Sequence, residues 1–310
     1  MQVINGFQLE NDFSTENAGF CRWAFAKREQ CSYFIKEFLS PKYPEDGCEL
    51  SEAMIKRKRA ECDAFYREKK ELYDAVKKCR TGNIAINHAF FRSGSKYYAV
   101  TERMYPCGMT PEQISIQADE KKNVLICSLL YSFAELHKHG IIHADVKPDN
   151  ILIKRTNTGF LTGKIIDFDS GFLESKPPAP DELQGDQVYL APEARLYMME
   201  QVSSLSTKMD IFALGLLFHQ YWCGALPKIP AEYDYTFEAV LDGAPVTLDF
   251  RLPEPLRGQI QLMLRRDPEE RPSAADVLER IKPGGDAPRT GSPESNDVMM
   301  PPGFHMLGSL

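Results

Sequence analysis

One octapeptide, His143-Ala144-Asp145-Val146-Lys147-Pro148-Asp149-Asn150, gathers a carboxylate, a cation and an amide within six positions. Phosphoryl transfer asks for this kind of assortment. It needs little covalent help, but it needs a carboxylate to orient the incoming hydroxyl and take its proton, oxygen ligands for a metal, and cations on the phosphates. Asp145 can be the carboxylate, and Lys147 can reach the γ-phosphate and the substrate oxygen. Asn150 can hold Mg²⁺ through its amide oxygen, a hard ligand that suits this ion. A second signal follows at Lys164-Ile165-Ile166-Asp167-Phe168-Asp169. Here a β-branched run ends in Asp167, whose carboxylate would enter the same cleft and hold a metal bridging the β- and γ-phosphates.

The elements that must position these groups are readable from periodicity. Alternating, aromatic-rich segments make residues 3–39 strands, and two Pro and a Gly mark a loop over 40–50. Residues 51–79 lack Gly and Pro, can be capped by Ser51, and place Phe65, Leu72 and Val76 on one face, so they form one long helix or two short ones. The Lys56–Arg59 run reads as a solvated face of that helix, with a docking patch as the alternative. Residues 84–104 alternate again as two strands. Helical spacing then dominates: 121–139 through Leu125, Leu129, Phe133 and Leu136, 208–222, and two helices over 254–282. Short strands are expected at 151–153 and 164–166. The tail after 283 is rich in Gly, Pro, Ser and Asp and is expected to be disordered.

Bulk properties narrow the class. The 310 residues include 43% apolar ones, enough for a sizeable core. Lys plus Arg number 37 against 44 Asp plus Glu, a net charge of -7 that argues against nucleic acid as the main partner. None of the eight Cys forms a C-x-x-C pair, so a zinc ribbon is not expected. The first ten residues lack a secretory signal, no apolar run reaches membrane-spanning length, and the thiols read as reduced ones in a cytoplasmic protein. No internal repeat is visible.

Five segments in order resemble the protein kinase family over nearly all of residues 7–283. His143–Asn150 looks like its catalytic loop H-R-D-L-K-P-x-N, and Asp167-Phe168-Asp169 like its D-F-G. Tyr189-Leu190-Ala191-Pro192-Glu193 looks like the A-P-E that ends the activation loop. Asp210 matches the Asp that buttresses the catalytic loop, and Arg271 the Arg that pairs with the A-P-E Glu, here Glu193. The resemblance implies an α+β, bilobal fold. Residues 1–104 would be a nucleotide-binding lobe of antiparallel sheet plus one helix, 105–283 a mainly helical catalytic lobe, and 284–310 a tail. Lys147 places the likeness in the serine/threonine branch, and the eroded motifs fit a bacterial member. ATP with Mg²⁺, or Mn²⁺ in its place, would be the cofactors. A protein bearing Ser or Thr would be the substrate, and a regulatory protein is a further expected partner.

Carried into the first lobe, the resemblance makes Lys36 the third-strand Lys that holds the α- and β-phosphates. Its helix partner should be a Glu. Glu52, Glu61, Glu68 and Glu71 are candidates, and Phe65–Leu72 resembles the family's F-x-x-E-x-x-x-L, which selects Glu68 and lets Leu72 stack toward Phe168 and His143. Thr101 would back the adenine pocket, Glu102 and Met104 would offer backbone groups to the base, and Gly19 suits the third Gly of the phosphate loop.

Several positions depart from the pattern. The phosphate loop, Ser14–Gly19, has a single Gly, although Ser14, Asn17 and Ala18 are small. Phe34 stands where a small Ala usually lies on adenine. Ala144 replaces an Arg that commonly reads an activation-loop phosphate, and Asp186 stands where a Thr often sits, so independence of loop phosphorylation is expected. Asp169 replaces the Gly of D-F-G, as a third metal contact or as a solvated loop side chain. A pseudokinase scaffold and a small-molecule kinase remain the alternative functions. The apolar cluster Met299, Met300, Phe304, Met306 and Leu307 near the end is either solvated or a docking peptide.

Overall fold

Alternation in the first hundred residues folds into antiparallel sheet. In the computed structural model, which describes residues 2–16, 19, 21–45 and 47–282, six strands form one sheet. They are β1 (Val3–Ile4), β2 (Phe7–Leu9), β3 (Cys21–Arg28), β4 (Cys31–Phe38), β5 (Asn87–Ser93) and β6 (Lys96–Glu102), in the order β1-β2-β3-β4-β6-β5. The expectations for Asn17, Ala18 and the tail from 284 fall outside the described residues.

Register decides which face each side chain takes. Ala24 pairs with Ile35, Trp23 with Lys36 and Phe25 with Phe34. One face therefore buries Ala24, Ala26, Ile35, Tyr98 and Val100 with Ile4, Phe7 and Leu9. The other carries Cys21, Trp23, Phe25, Phe34, Lys36 and Phe38. Helix α1 (Glu52–Val76) covers this second face at Phe38, whose ring meets Phe65 edge-on at 5.3 Å. The 51–79 pattern is thus one helix, and Ser51 caps it by accepting from the Met54 amide. Lys56 and Arg57 are exposed, and Arg59 lies over the Tyr43 ring.

The rest is mainly helical: α2 (Pro111–Ser115), α3 (Asp119–Lys138), α4 (Pro192–Met198), α5 (Lys208–Cys223), α6 (Thr236–Leu241), α7 (Glu254–Met263) and α8 (Ala274–Ile281). Helix α5 is buried on almost every side, as its lack of a polar face requires. Between α3 and α4 run four short strands, β7 (Ile141–Ile142), β8 (Ile151–Arg155), β9 (Leu161–Ile165) and β10 (Phe172–Leu173). β8 pairs with β9, and β7 with β10. Gly163 lets this layer seat on α3, since a Cβ there would stand 2.6 Å from Leu129 Cδ2. The short elements α2, α4, α6, β7 and β10 carry too few residues for a period to show, and sequence reading missed them.

One buried ion pair ties the far side of the helical part together. Arg271 is fully buried and donates twice to Glu193, at 2.6 and 2.8 Å, and again to the backbone oxygens of Arg265, Lys208 and Arg266. Such a pair adds little over an apolar replacement, but removing one partner strands the other charge. Arg271→Met should therefore destabilise the protein by about 3–5 kcal/mol, measured as a lower urea midpoint. A midpoint within error of the parent would contradict this account of the pair.

Candidate active site

The loop between β7 and β8 holds its shape through Asp210 at the start of α5. Asp210 is 1% exposed and accepts from the amides of His143 (2.8 Å) and Ala144 (3.0 Å) and from His137 Nε2 (3.1 Å). Ala144 sits at φ +64°, a left-handed conformation unfavourable for a residue with a Cβ. Gly185 of the following segment lies against Ala144, close enough that a Cβ on Gly185 would be 3.0 Å from the Ala144 oxygen.

Asp145 emerges from this loop with both oxygens engaged. Lys147 Nζ lies 3.0 Å from Oδ2, and Asn150 Nδ2 donates to the same atom at 2.8 Å and to the Asp145 carbonyl at 2.8 Å. The amide of Asp186 donates to Oδ1 at 3.2 Å, and the Asp186 carboxylate approaches Lys147 at 3.7 Å. Burial opposes the charge on Lys147, but Asp145 outweighs it and raises the ammonium pKa above its ordinary value. Asp145, Lys147 and Asn150 are thus brought together, as the sequence led us to expect.

Asp167 follows β9 at φ +63°, and its strained backbone turns the carboxylate to Lys36 Nζ at 2.7 Å. Lys36 also meets Asp169 Oδ2 at 2.9 Å. Phe168 is buried between them on the chain and packs on His143, ring centres 5.0 Å apart, while His143 Nε2 bonds the Ile166 oxygen at 2.9 Å. Leu72 of α1 reaches the same region, beside Gly171.

The expected partner of Lys36 is corrected here. Glu68 is exposed, and Lys36 takes its ion pairs from Asp167 and Asp169. Successive helical residues point about 100° apart, and the stripe of α1 that meets the site runs through Phe65, Lys69, Leu72, Tyr73 and Val76. From Phe65, both the third and the fourth residue onward are neighbours on a helix; the fourth, Lys69, is the one that enters. Its ammonium donates to the Asp169 carbonyl. Glu71 pairs with Lys176 at 2.6 Å and so joins α1 to the segment after β10.

Asp169 is not the solvated loop side chain that one reading of the sequence allowed. Besides Lys36, its carboxylate takes Cys21 Sγ at 3.4 Å and Tyr73 Oη at 3.5 Å. Burial would raise its pKa, but Lys36 and Lys69 outweigh that and hold it below the usual carboxylate range. Asp167 is shifted upward, by burial and by the negative charge of Asp169. Lys36 stays protonated: burial opposes its charge, and the two carboxylates more than compensate. Lys69 is lowered, since burial costs it more than they return. Sequence reasoning missed Lys69, Tyr73 and Cys21. The signal was available, because an extra carboxylate at Asp169 demands an extra cation, and Lys69 shares a stripe with Phe65 and Leu72.

On the nucleotide side, Thr101 pairs with Phe34 across β6 and β4. Phe34 turns toward its aromatic neighbours, near-parallel to Trp23 at 5.4 Å and edge-on to Phe25 at 6.1 Å. Glu102 ends β6, and the backbone amide and carbonyl of Met104 have no hydrogen-bond partner among the described residues. Gly19 has φ +53° with open space around it. The start of its loop is anchored where Ser14 and Trp23 exchange backbone bonds and Trp23 Nε1 donates to the Glu16 oxygen.

Asn150 and Asp167 could hold a divalent ion. Both offer oxygen, and with its amide nitrogen on Asp145, Asn150 keeps an unpartnered amide oxygen among the described residues. No cluster of three or more His, Cys, Asp or Glu side chains forms a metal cage among those residues. Mg²⁺ usually takes one or two protein oxygens and completes its shell with water and phosphate.

A family model described as "Protein kinase domain" matches residues 52–281, from the first turn of α1 to the end of α8, so Lys36 precedes the matched stretch. A sperm motility kinase of Mus musculus is 28% identical over 163 residues, which is 53% of this chain and 31% of that protein. A probable myosin light chain kinase of Dictyostelium discoideum is 27% identical over 214 residues, 66% of this chain and 67% of its own. A serine/threonine-protein kinase of Xenopus laevis is 29% identical over 160 residues, 51% of this chain and 33% of its own. The matches thus span about a third of the mouse and Xenopus relatives. With three quarters of its length under the family model, the chain belongs to the protein kinase family.

Proposed function

We propose that the chain is a serine/threonine protein kinase that moves the γ-phosphate of Mg-ATP to a Ser or Thr hydroxyl of a protein, without needing phosphorylation of its own activation loop. The observation that carries this reading is the Asp145 carboxylate held by Lys147 and Asn150, with Asp167 and Lys36 paired nearby. The serine/threonine names of relatives and Lys147 itself support the choice of hydroxyl. Residues 1–104 would be the nucleotide lobe and 105–283 the catalytic lobe, in a cytoplasmic protein. Among the described residues no helix is long and apolar enough to cross a membrane.

Asp145 orients the substrate hydroxyl and takes its proton as the new bond forms. Lys147 and the Asp186 amide fix that carboxylate, and Lys147 lies where negative charge develops on the transferred group. Lys36 holds the α- and β-phosphates, while Met104 offers its free backbone groups to adenine, with Thr101 and Glu102 beside it. Gly19 lets the loop approach the phosphates. A divalent cation, held by Asn150 and Asp167, supplies charge neutralisation on the β- and γ-phosphates when bound.

Loop independence is supported by what already secures the segment after Asp167. Lys176 bonds Glu71, Tyr197 Oη donates to the Pro178 oxygen at 2.7 Å, and Asp186 engages Asp145 and Lys147. The residue immediately before Asp145 is Ala144 rather than an Arg that could read a phosphate.

A nucleotide-binding scaffold is the second reading, favoured by Phe34, which stands half-buried beside Trp23 and Phe25 where a small side chain was expected. The test is incubation with Mg²⁺, γ-labelled ATP and a protein mixture, with Asp145→Asn alongside. The expected result is label on Ser or Thr, reduced about 10²- to 10⁴-fold in the variant. Equal label in both would exclude Asp145 as the base. Mg-ATP binding without transfer would select the scaffold, and transfer only to a metabolite would select a small-molecule kinase. Replacing Ser170 and Ser175 with Ala should leave the initial rate unchanged; a tenfold loss would show that the loop does need modification.

A further inference from the structure

We propose that Asp169 is the positioning residue for Lys36, clamped in turn to α1 by Lys69 and Tyr73. The expected arrangement is thus reversed: Lys36 of the sheet takes its carboxylate from the turn after β9, and the helix brings a cation, Lys69, onto the backbone carbonyl of that same Asp169. The inference deepens the phosphoryl-transfer reading and rests on it.

The contacts form a closed set. Lys36 lies between Asp167 at 2.7 Å and Asp169 at 2.9 Å. Asp167 is the group a divalent ion would claim, so Lys36 needs a second anion to keep its place. Glu68 is exposed and cannot supply one. Asp169 can, and both its backbone and its side chain are tied to α1. Lys69 donates to its carbonyl, and Tyr73, one turn further along the same stripe, reaches Oδ1 at 3.5 Å. The position therefore fixes the nucleotide lysine and the helix at once.

Charge explains why the reversed arrangement is tolerable beside a polyphosphate. Lys36 and Lys69 give +2 and Asp167 and Asp169 give −2, a sum of zero. A set with Glu at the helix and Gly after Phe168 would hold +1 from Lys36 and −2 from the Glu and Asp167, a sum of −1. The reversed set repels an incoming phosphate chain less. Carboxylates at both Asp169 and the helix position would add a second uncompensated charge, which is consistent with Glu68 facing solvent.

The test is a set of variants: Asp169→Gly, Asp169→Asn, Lys69→Glu and Lys69→Glu/Asp169→Gly, each first checked for a cooperative melt. Calorimetry then gives the Mg-ATP dissociation constant, and initial rates give kcat and KM. Asp169→Gly and Asp169→Asn should each weaken Mg-ATP binding about tenfold and lower kcat, because Lys36 loses its second anion. Lys69→Glu alone should do the same by crowding three carboxylates. The double variant, which puts the carboxylate on the helix and Gly after Phe168, should recover most of the binding lost in Asp169→Gly. A merely structural role would not be rescued by moving the charge. Parental binding in Asp169→Gly, or a double variant no better than Asp169→Gly, overturns the proposal. Parent protein that binds Mg-ATP without transferring phosphate overturns the kinase reading alone, and the binding series still decides this one. Parent protein that binds no Mg-ATP overturns both.

Discussion

The buried carboxylate of Asp210 is the constraint on which the geometry around Asp145 rests. It sits in the first turn of α5, an almost wholly buried helix that cannot move without disturbing the core. From there it holds two consecutive amides of the loop that carries Asp145. The left-handed backbone of Ala144 costs roughly 1–2 kcal/mol. Each hydrogen bond to a charged acceptor returns about 1.5–3 kcal/mol, so two of them outweigh the strain. What the strain secures is direction: the chain reverses sharply, and the side chain of Asp145 is delivered into the cleft, where Lys147, Asn150 and the Asp186 amide complete its surroundings.

The same logic recurs at Asp167, where a left-handed residue follows a strand that is itself fixed by the close approach of Gly163 to Leu129. Backbone strain at Ala144, just before Asp145, and at Asp167 itself, each supported by buried structure, is how this fold aims the two carboxylates without spending flexible side-chain length on the task. Around Asp167 the balance of charge then does the rest. Lys36, Lys69, Asp167 and Asp169 are near enough that none has its ordinary titration behaviour, and the position of each depends on the other three.

The sequence made the large elements and the catalytic loop legible, for reasons that can be named. The helices α1, α3, α5, α7 and α8 are long or strongly patterned, and their burial follows from period alone. Asp145, Lys147 and Asn150 lie within six residues, so local backbone geometry brings them together whatever the rest of the chain does. Lys36 and Asp167 come from separate elements, and only resemblance put them in one site. Glu68 is where that method failed. A motif fixes spacing to the nearest residue, but the third and fourth residues beyond Phe65 flank its stripe on opposite sides, and the choice between Glu68 and Lys69 was made by Asp169, a hundred residues away. Met104 and Gly19 could be read only as positions in a pattern, because the roles proposed for them belong to backbone atoms that any side chain would expose.

Seen from Asp169, the departures of this chain from its family belong together. A carboxylate there asks for a cation on α1, and α1 supplies Lys69. Glu71, no longer a candidate for Lys36, is free to bond Lys176 and draw the segment after β10 against the helix. Further along that segment, Asp186 approaches Lys147 and lends its amide to Asp145, while Gly185 packs against the Ala144 carbonyl, where a side chain would be crowded. Under the function proposed above, an activation loop held by these carboxylates would have no use for an arginine that waits for a phosphate, and Ala144 is a residue that such a site can accommodate. The residues at Ala144, Asp169 and Asp186, each odd alone, are therefore consistent with the proposed function, in which permanent charges would hold positions that a phosphate otherwise has to secure.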